Sequence, residues 1–266
     1  MLAPPTLLAL DFDGVICDGL KEYFQTTCRA CDRIWTQDSR GDREIFADAF
    51  YQLRPVIETG WEMPVLLHAL VLGETKADIL ADWPKIRDRL VAKEQLNGKE
   101  IAKIVDGVRD EWIANDLEKW LALHHFYPGI IESIQGIFQE VQTQVAIITT
   151  KEGRFARQLL QQQGLNFPQD AIFGKEVKQP KPETLRQLIA NPTYNTDNIW
   201  FVEDRLKTLE LVAQQSDLED VSLYLADWGY NTQKMRDSIA DNPRIHLLSL
   251  EQFAGNFANW RSPSLS

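Results

Sequence analysis

The sequence predicts an α/β fold built on a doubly wound, mainly parallel sheet with helices on both faces. Downstream of Tyr127, short continuous apolar runs alternate with amphipathic helical patterns, which is typical of parallel strands buried on both faces. A further apolar run, residues 7–11, is separated from this series by a long helical block. We therefore expect a Rossmann-like sheet with an all-helical domain inserted after its first strand.

The first strand reads LLALD, and the helical block follows it. Between residues 21 and 126, apolar residues recur at intervals of three and four, as in GDREIFADAFYQL, ETKADILADWPKIRDRLVAKEQL and GKEIAKIVDGVRDEWIANDLEKWLALHHF. Asp42 begins one such pattern and is expected to cap a helix that buries one face. The predicted domains are an α/β domain of residues 1–17 and 127–266, and a helical domain of residues 18–126.

The later elements alternate regularly. The predicted strands are VAIIT at residues 145–149, IF at 172–173, and the apolar parts of NIWFVEDR, VSLYLAD and RIHLLS. The predicted helices between and after them are EGRFARQLLQQQG, ETLRQLIA, RLKTLELVAQQ and TQKMRDSIA, with Gly164 expected to end the first. This order places successive strands in one parallel sheet.

Charge and composition limit the kinds of partner that this protein is expected to bind. The formal net charge of −11 over 266 residues argues against nucleic acid or an anionic membrane surface as a partner, since both select basic faces. No apolar run approaches the ~20 residues that span a bilayer, and residues 1–12 lack a basic leader with a cleavage site. We expect a cytoplasmic monomer or homodimer.

The three cysteines include a Cys-x-x-Cys pair, Cys28 and Cys31. A zinc site of this kind needs four ligands, and no second pair or nearby histidine completes it. A redox site would follow a strand, whereas this pair lies in a helical stretch. We therefore expect reduced, partly buried thiols.

Chemistry-bearing side chains follow several predicted strands. Asp11 and Asp13 end the first strand and precede Gly14. The VAIIT strand ends in Thr149, Thr150 and Lys151, and IWFV ends in Glu203 and Asp204. A lysine cluster, KEVKQPKPETL, lies before a helix. Ligands of open α/β sheets bind beyond the carboxyl ends of the strands, so these groups are expected to meet.

The grouped side chains suit phosphoryl transfer. Crowded carboxylates repel unless a hard cation lies among them, and Mg²⁺ prefers oxygen ligands. A hydroxyl, a lysine and free N–H groups suit phosphoryl oxygens. Two aspartates at i and i+2 divide naturally into a nucleophile and an acid–base group. The pattern predicts transfer through an aspartyl-phosphate.

This combination of motifs resembles the haloacid dehalogenase-like hydrolase superfamily. The motifs are DFDGV at residues 11–15, Thr149 after an apolar strand, a lysine in a proline-rich turn, and Glu203 with Asp204 after another strand. FYPGIIESI and ADWGYNT resemble its phosphoglycolate-phosphatase-like branch. In that branch a helical cap is inserted after the first strand, so the resemblance implies a cap at residues 18–126 and a catalytic core in the remaining chain.

The resemblance implies a role for each motif. Asp11 would be the nucleophile and a metal ligand. Asp13 would protonate the leaving group, then activate water, while its backbone carbonyl ligates Mg²⁺. Thr149 would bind the transferring phosphoryl group, and Asp204, with Glu203 beside it, would hold the metal. Hydrolytic dehalogenases typically lack the second aspartate, so Asp13 favours a phosphatase acting on a small phosphorylated metabolite.

The third motif allows two lysines. Lys181 lies between Pro180 and Pro182 and is the predicted phosphate-binding lysine, because flanking prolines fix the turn; Lys178 is the rival. The fourth motif departs from the family pattern, since Thr208 stands where a further acid is usual.

Three further residues are candidates for substrate binding: Gly14, Thr150 and Arg54. Arg54, in YQLRPVIETGWE, is a possible contact for an anionic substrate, although a surface arginine is the simpler interpretation. Two other functions stay open at this point. A phosphomutase of the same superfamily would use the same aspartates, and a non-enzymatic phospho-receiver also has strand-end aspartates, a threonine and a lysine.

Overall fold

The structure is a computed structural model that describes residues 3–35, 42–140 and 142–260. The chain divides into two compact units. The first comprises Met1–Asp18 and His125–Ser266, and the second comprises Gly19–His124. The assignment of a catalytic role to one part of the chain and a cap role to the other stays a prediction.

The first unit is built on a six-stranded sheet. Its strands are β1 (Leu7–Leu10), β4 (Gln144–Ile148), β5 (Ile172–Phe173), β6 (Ile199–Glu203), β7 (Ser222–Ala226) and β8 (Ile245–Leu248), and two short strands, β2 (Cys17–Asp18) and β3 (His125–Phe126), pair separately. The sheet order is β5-β4-β1-β6-β7-β8. Every neighbouring pair is parallel, which confirms the predicted mainly parallel sheet.

Strand β1 lies in the interior of this sheet. Leu7 is in register with Gln144 on one side and Ile199 on the other. All four residues of β1 are buried, as the continuous apolar run LLAL requires of a strand covered on both faces. The position of β1 between β4 and β6 brings the ends of three motif-bearing strands together.

The helices of the first unit are α6 (Ile130–Glu140), α7 (Gly153–Gln162), α8 (Lys181–Ala190), α9 (Leu206–Ala213), α10 (Gln233–Asp237) and α11 (Leu250–Ala254). Apolar residues of α8 and α9, among them Leu185, Leu188 and Leu209, pack with sheet residues such as Ala9 and Phe201 in one buried cluster. Gly164 follows α7 with a φ of +76°, as expected for a helix-ending glycine.

The small sheet of β2 and β3 was not predicted. Cys17 pairs with Phe126, and Asp18 with His125, in antiparallel register. Two-residue strands carry too few side chains to show a period of two, so sequence pattern cannot identify them. Their pairing fixes both ends of the chain segment that leaves and re-enters the first unit.

Every regular element that the structure describes in the second unit is helical. Its helices are α1 (Leu20–Ile34), α2 (Ala47–Leu53), α3 (Glu62–Val71), α4 (Lys76–Lys93) and α5 (Gly98–Leu121). Asp42 caps a 3₁₀ turn, Arg43–Phe46, that precedes α2, rather than one continuous helix. Among the described residues, no helix is long and apolar enough to cross a membrane.

A buried ion pair joins α1 to α5 within the second unit. Glu22, fully buried, accepts hydrogen bonds from Arg109 Nε at 2.8 Å, Trp120 Nε1 at 3.1 Å and Thr26 Oγ1 at 2.6 Å. These donors satisfy a carboxylate that would otherwise be costly to bury. The predicted Cys28 and Cys31 thiols lie on the same α1, half-buried and buried respectively.

Candidate active site

Asp11 lies directly after β1 and is buried. Its backbone N–H donates to Val202 O at 2.9 Å, which continues the pairing of β1 with β6 by one residue. Its Oδ1 accepts a hydrogen bond from Phe12 N at 2.8 Å and lies 2.8 Å from Lys181 Nζ. The backbone of the next residue and the Lys181 ammonium therefore hold the same oxygen of this carboxylate.

Lys181, the first residue of α8, joins the first and fourth motifs. Its Nζ lies 2.6 Å from Glu203 Oε2 and 2.8 Å from Asp11 Oδ1. Glu203 Oε1 accepts from the backbone N–H groups of Asp204 and Arg205 at 3.2 Å and 3.0 Å. The turn between the two prolines therefore places this lysine against the predicted nucleophile. Its role in phosphate binding stays a prediction.

Burial and charge act together on these groups. Burial raises the pKa of the Asp11 carboxyl to about 7, with the Glu203 carboxylate acting in the same direction and Lys181 opposing it. Burial also raises the pKa of Glu203. Burial lowers the pKa of the Lys181 ammonium, but Asp11 and Glu203 outweigh that effect and raise it. Added positive charge would therefore be stabilised beside Asp11.

Asp204 is held by a loop that follows β7. Its Oδ2 accepts from Tyr230 N at 2.7 Å, and its backbone carbonyl accepts from Asn231 Nδ2 at 3.0 Å. A Cβ on Gly14, whose φ is +91°, would lie 2.2 Å from Asp204 Oδ2, and a Cβ on Gly229 would lie 2.3 Å from Asp204 Cβ. Both glycines are therefore required for Asp204 to occupy this place. For Gly14 this requirement is distinct from the predicted substrate contact.

Asp13 forms an ion pair with Lys151. Lys151 Nζ lies 3.0 Å from Asp13 Oδ1 and 3.3 Å from Asp13 Oδ2, and both side chains are mostly buried. The backbone around Asp13 is a tight loop in which Gly14 N donates to Cys17 O at 2.8 Å. The structure thus gives each of the two motif aspartates a lysine of its own.

Thr149 directly follows β4, the sheet neighbour of β1. It is buried, its N–H donates to Phe173 O at 2.9 Å, and its Oγ1 accepts from Lys151 N at 3.1 Å. Thr150, next along the chain, is exposed. Both lie at the sheet edge where β1 also ends, and their phosphate and substrate contacts stay predictions.

The two other candidates are Lys178 and Arg54. Lys178 is exposed and has a left-handed backbone conformation with a φ of +54°. Arg54 belongs to the second unit, where its Nη1 donates to Ile57 O at 3.1 Å and its guanidinium lies 5.1 Å from the centre of the Tyr23 ring. The substrate contact of Arg54 stays a prediction.

Sequence reasoning assigned no role to two features of the site. The first is Lys151, which stands two residues after Thr149. The second is the loop at residues 227–231, in which Trp228 Nε1 donates to Val15 O at 3.0 Å and Tyr230 Oη to Asp18 Oδ1 at 3.1 Å. Both features lie just beyond the carboxyl end of a parallel strand, and that position is the sequence signal that could have identified them.

Three buried carboxyl groups could hold a metal ion. Asp11, Glu203 and Asp204 each offer an oxygen, and these oxygens lie within 4.8 Å of one another. Oxygen ligands of this charge suit a hard divalent cation such as Mg²⁺. The predicted contribution of Asp13, through its backbone carbonyl, stays a prediction.

The comparisons with known proteins concern the family and the fold. Residues 87–216 match the family model of the haloacid dehalogenase-like hydrolases. A comparison with curated protein sequences finds no match to this chain. The family model confirms the motif resemblance over the residues that it matches, and the similar solved structures share the fold.

Three solved structures are similar over nearly the whole chain. A predicted phosphoglycolate phosphatase from Haemophilus somnus 129PT has a TM-score of 0.61 at 13% identity, covering 96% of this chain and 97% of that one. A predicted phosphatase from Clostridium acetobutylicum has a TM-score of 0.59 at 12% identity, covering 95% and 97%. Protein Tyrosine Kinase A of Mycobacterium tuberculosis has a TM-score of 0.58 at 18% identity, covering 93% and 95%.

Proposed function

We propose that this chain is a haloacid dehalogenase-like phosphatase that hydrolyses a small phosphate monoester through an aspartyl-phosphate on Asp11. The family match and the fold support a phosphoric monoester hydrolase. The observation that carries the proposal is the setting of Asp11, a buried carboxylate at the end of a central strand. One of its oxygens is anchored by Lys181 and Phe12 N, with Asp13 two residues on.

The first step forms the phospho-enzyme. Asp11 Oδ2 attacks phosphorus, and the bond between phosphorus and the leaving oxygen breaks. The Asp13 carboxyl gives its proton to that oxygen, which departs as an alcohol. Lys181 and Thr149 offset the negative charge of the transferring phosphoryl oxygens.

The second step releases phosphate. A water oxygen attacks the phosphorus of the aspartyl-phosphate, and the Asp13 carboxylate takes the proton of that water. The bond between phosphorus and Asp11 breaks, which regenerates the Asp11 carboxylate and the Asp13 carboxyl. Asp13 therefore acts as acid in one step and as base in the next.

Mg²⁺ is the cofactor that the donor set fits. Asp11, Asp204 and Glu203 would hold it, and the Asp13 backbone carbonyl would complete the protein ligands. When bound, it supplies positive charge that offsets the phosphoryl oxygens in the transition state. Hard carboxylate oxygens favour Mg²⁺ over softer metals.

Activity on a simple aryl phosphate tests the proposal. The protein is expected to release phosphate from 4-nitrophenyl phosphate with Mg²⁺, to lose activity in EDTA, and to regain it when Mg²⁺ is restored. Asp11→Asn removes the nucleophilic charge while keeping the shape, so activity should vanish, whereas the exposed Asp197→Asn should match the wild type. Undiminished turnover in Asp11→Asn would refute the aspartyl-phosphate.

The same assay separates hydrolysis from mutase activity. Sustained phosphate release without a bisphosphate primer supports a hydrolase, and dependence on such a primer supports a phosphomutase. The substrate inferred here is a small phosphorylated metabolite, consistent with the acidic net charge of −11 that disfavours nucleic acid. A panel of phosphorylated metabolites would identify it.

A further inference from the structure

The two lysines of the site contact different aspartates. Lys181 Nζ lies 2.8 Å from Asp11 Oδ1, whereas Lys151 Nζ lies 3.0 Å and 3.3 Å from the two carboxylate oxygens of Asp13. The motif resemblance accounts for Lys181 and for both aspartates. It assigns nothing to Lys151, whose side chain is nonetheless only 7% exposed.

The backbone of Lys151 is fixed on both sides. Its N–H donates to Thr149 Oγ1 at 3.1 Å, and its carbonyl accepts from Lys175 N at 2.8 Å. Directly after it, Gly153 and Gly174 approach so closely that a Cβ on Gly174 would lie 2.2 Å from Gly153 N. The backbone that carries the Lys151 side chain is therefore held in place after the end of β4.

We propose that Lys151 is a positioning residue that fixes the orientation of the Asp13 carboxyl group toward the leaving-group oxygen. This inference rests on the proposed function. When Asp13 is ionised, the ammonium in contact with both of its oxygens restricts rotation about the last bond of the side chain; when Asp13 carries the proton, the ammonium contacts the other oxygen. Orientation of the proton donor matters because a small misplacement of a catalytic group can cost a large factor in rate.

The predicted effect depends on the leaving group. In the first step the Asp13 proton passes to the leaving oxygen as the bond from that oxygen to phosphorus breaks. A nitrophenolate departs readily without that proton, whereas an alkoxide needs it. Loss of Lys151 should therefore slow the alkyl ester far more than the aryl ester, because the proton donor is no longer held in line.

A substrate-binding role for Lys151 makes a different prediction. A lysine that contacts the substrate phosphate would stabilise the bound substrate whatever its leaving group. Its loss would then raise KM for both esters and leave the ratio of their kcat values unchanged. The two roles are distinguished by kcat and KM measured on both substrates.

The test compares Lys151→Met and Lys151→Arg with the wild type at saturating Mg²⁺, on β-glycerophosphate and 4-nitrophenyl phosphate. For Lys151→Met we expect kcat on the alkyl ester to fall by about 10²-fold, kcat on the aryl ester by less than about 5-fold, and KM to stay within about 2-fold. Lys151→Arg should restore most of the alkyl-ester rate. An equal fall on both esters, or a rise in KM alone, would overturn the assignment.

Two further measurements separate this inference from the proposed function. In an Asp13→Asn background, Lys151→Met should change the rate little, because its effect passes through Asp13. Crystal structures of Lys151→Met and the wild type should show a reoriented Asp13 carboxylate and an unchanged Asp11. An unmoved Asp13 would overturn the positioning role even if neither ester is hydrolysed, whereas a wild type inactive on both esters would count against the proposed function.

Discussion

Asp11 illustrates why a charged group can end a buried strand. Its Oδ1 accepts from the backbone N–H of the next residue, Phe12, and contacts the ammonium of Lys181 at the start of α8. Burial of such a group costs several kcal/mol unless it is paired. In the proposed reaction, Asp11 attacks phosphorus and Asp13 transfers the proton.

Lys181 and Lys178 give a direct comparison within one turn. Lys181→Ala removes the ammonium between Asp11 and Glu203, so kcat should fall by about 10²–10³-fold, the usual loss for one transition-state contact. Lys178→Ala removes an exposed side chain and should leave kcat unchanged. Steady-state kinetics with circular dichroism as a folding control would show this, and the reverse pattern would assign the phosphate contact to Lys178.

Gly14 and Gly73 offer a matched pair of substitutions. Both have a φ near +90°, at +91° and +89°, but a Cβ on Gly14 would lie 2.2 Å from Asp204 Oδ2, whereas a Cβ on Gly73 meets nothing within 4 Å. Each alanine carries a backbone penalty of about 1–2 kcal/mol in this region. Gly14→Ala should in addition displace Asp204 and abolish activity, while Gly73→Ala stays active. Equal activity in both would show that Asp204 can move freely.

Most of the site could be predicted from the sequence because its residues directly follow apolar strands. Asp11, Thr149, Glu203 and Asp204 each lie at a strand end, and such positions converge in any parallel sheet. Lys151 was not assigned because its contact depends on the conformation of the loop at residues 11–17, which periodicity does not encode. The hydrogen bonds of the 227–231 loop were missed for the same reason.

Among the elements, the two longest described helices of the second unit share an interruption that hydrophobic periodicity does not show. Asp82 in α4 and Asp116 in α5 leave helical geometry, with φ and ψ of −156° and 67°, and −156° and 69°. In each case the carboxylate accepts from the backbone N–H three residues later, Lys85 and Lys119. Each aspartate therefore begins a new helical segment as an N-cap. A predicted helix can thus be correct in extent and still contain a break.

The ion pair between α1 and α5 allows the contribution of a buried ion pair to the free energy of unfolding to be measured. Glu22→Gln keeps the shape but leaves the Arg109 guanidinium without its carboxylate, so the free energy of unfolding should fall by about 3 kcal/mol. Glu111→Gln breaks an exposed pair with Arg33 between the same helices and should cost about 0–1 kcal/mol. Urea denaturation followed by circular dichroism measures both values. Similar losses in the two variants would mean that burial of Glu22 is irrelevant.

At the scale of the whole molecule, metal binding should raise the free energy of unfolding. Oxygens of Asp11, Glu203 and Asp204 lie within 4.8 Å of one another. A cation that binds only the folded state raises the free energy of unfolding by about 2.7 kcal/mol when the cation concentration is 100 times the Kd. The temperature of thermal unfolding should rise when Mg²⁺ is added and fall back when EDTA removes it. Asp204→Asn should abolish the shift, and the exposed Asp220→Asn should keep it. A shift that survives in Asp204→Asn would place the metal elsewhere.

The central position of β1 has a consequence for the order in which the protein can be completed. Leu7 pairs with Gln144 and Ile199, so the ribosome makes this strand long before either partner. Until then LLAL is an apolar segment with unpaired backbone groups along both sides, which is the kind of nascent chain that aggregates or engages chaperones. Synthesis of β6 supplies the last strand that pairs with β1, and with it Glu203, the second carboxylate that contacts Lys181 beside Asp11.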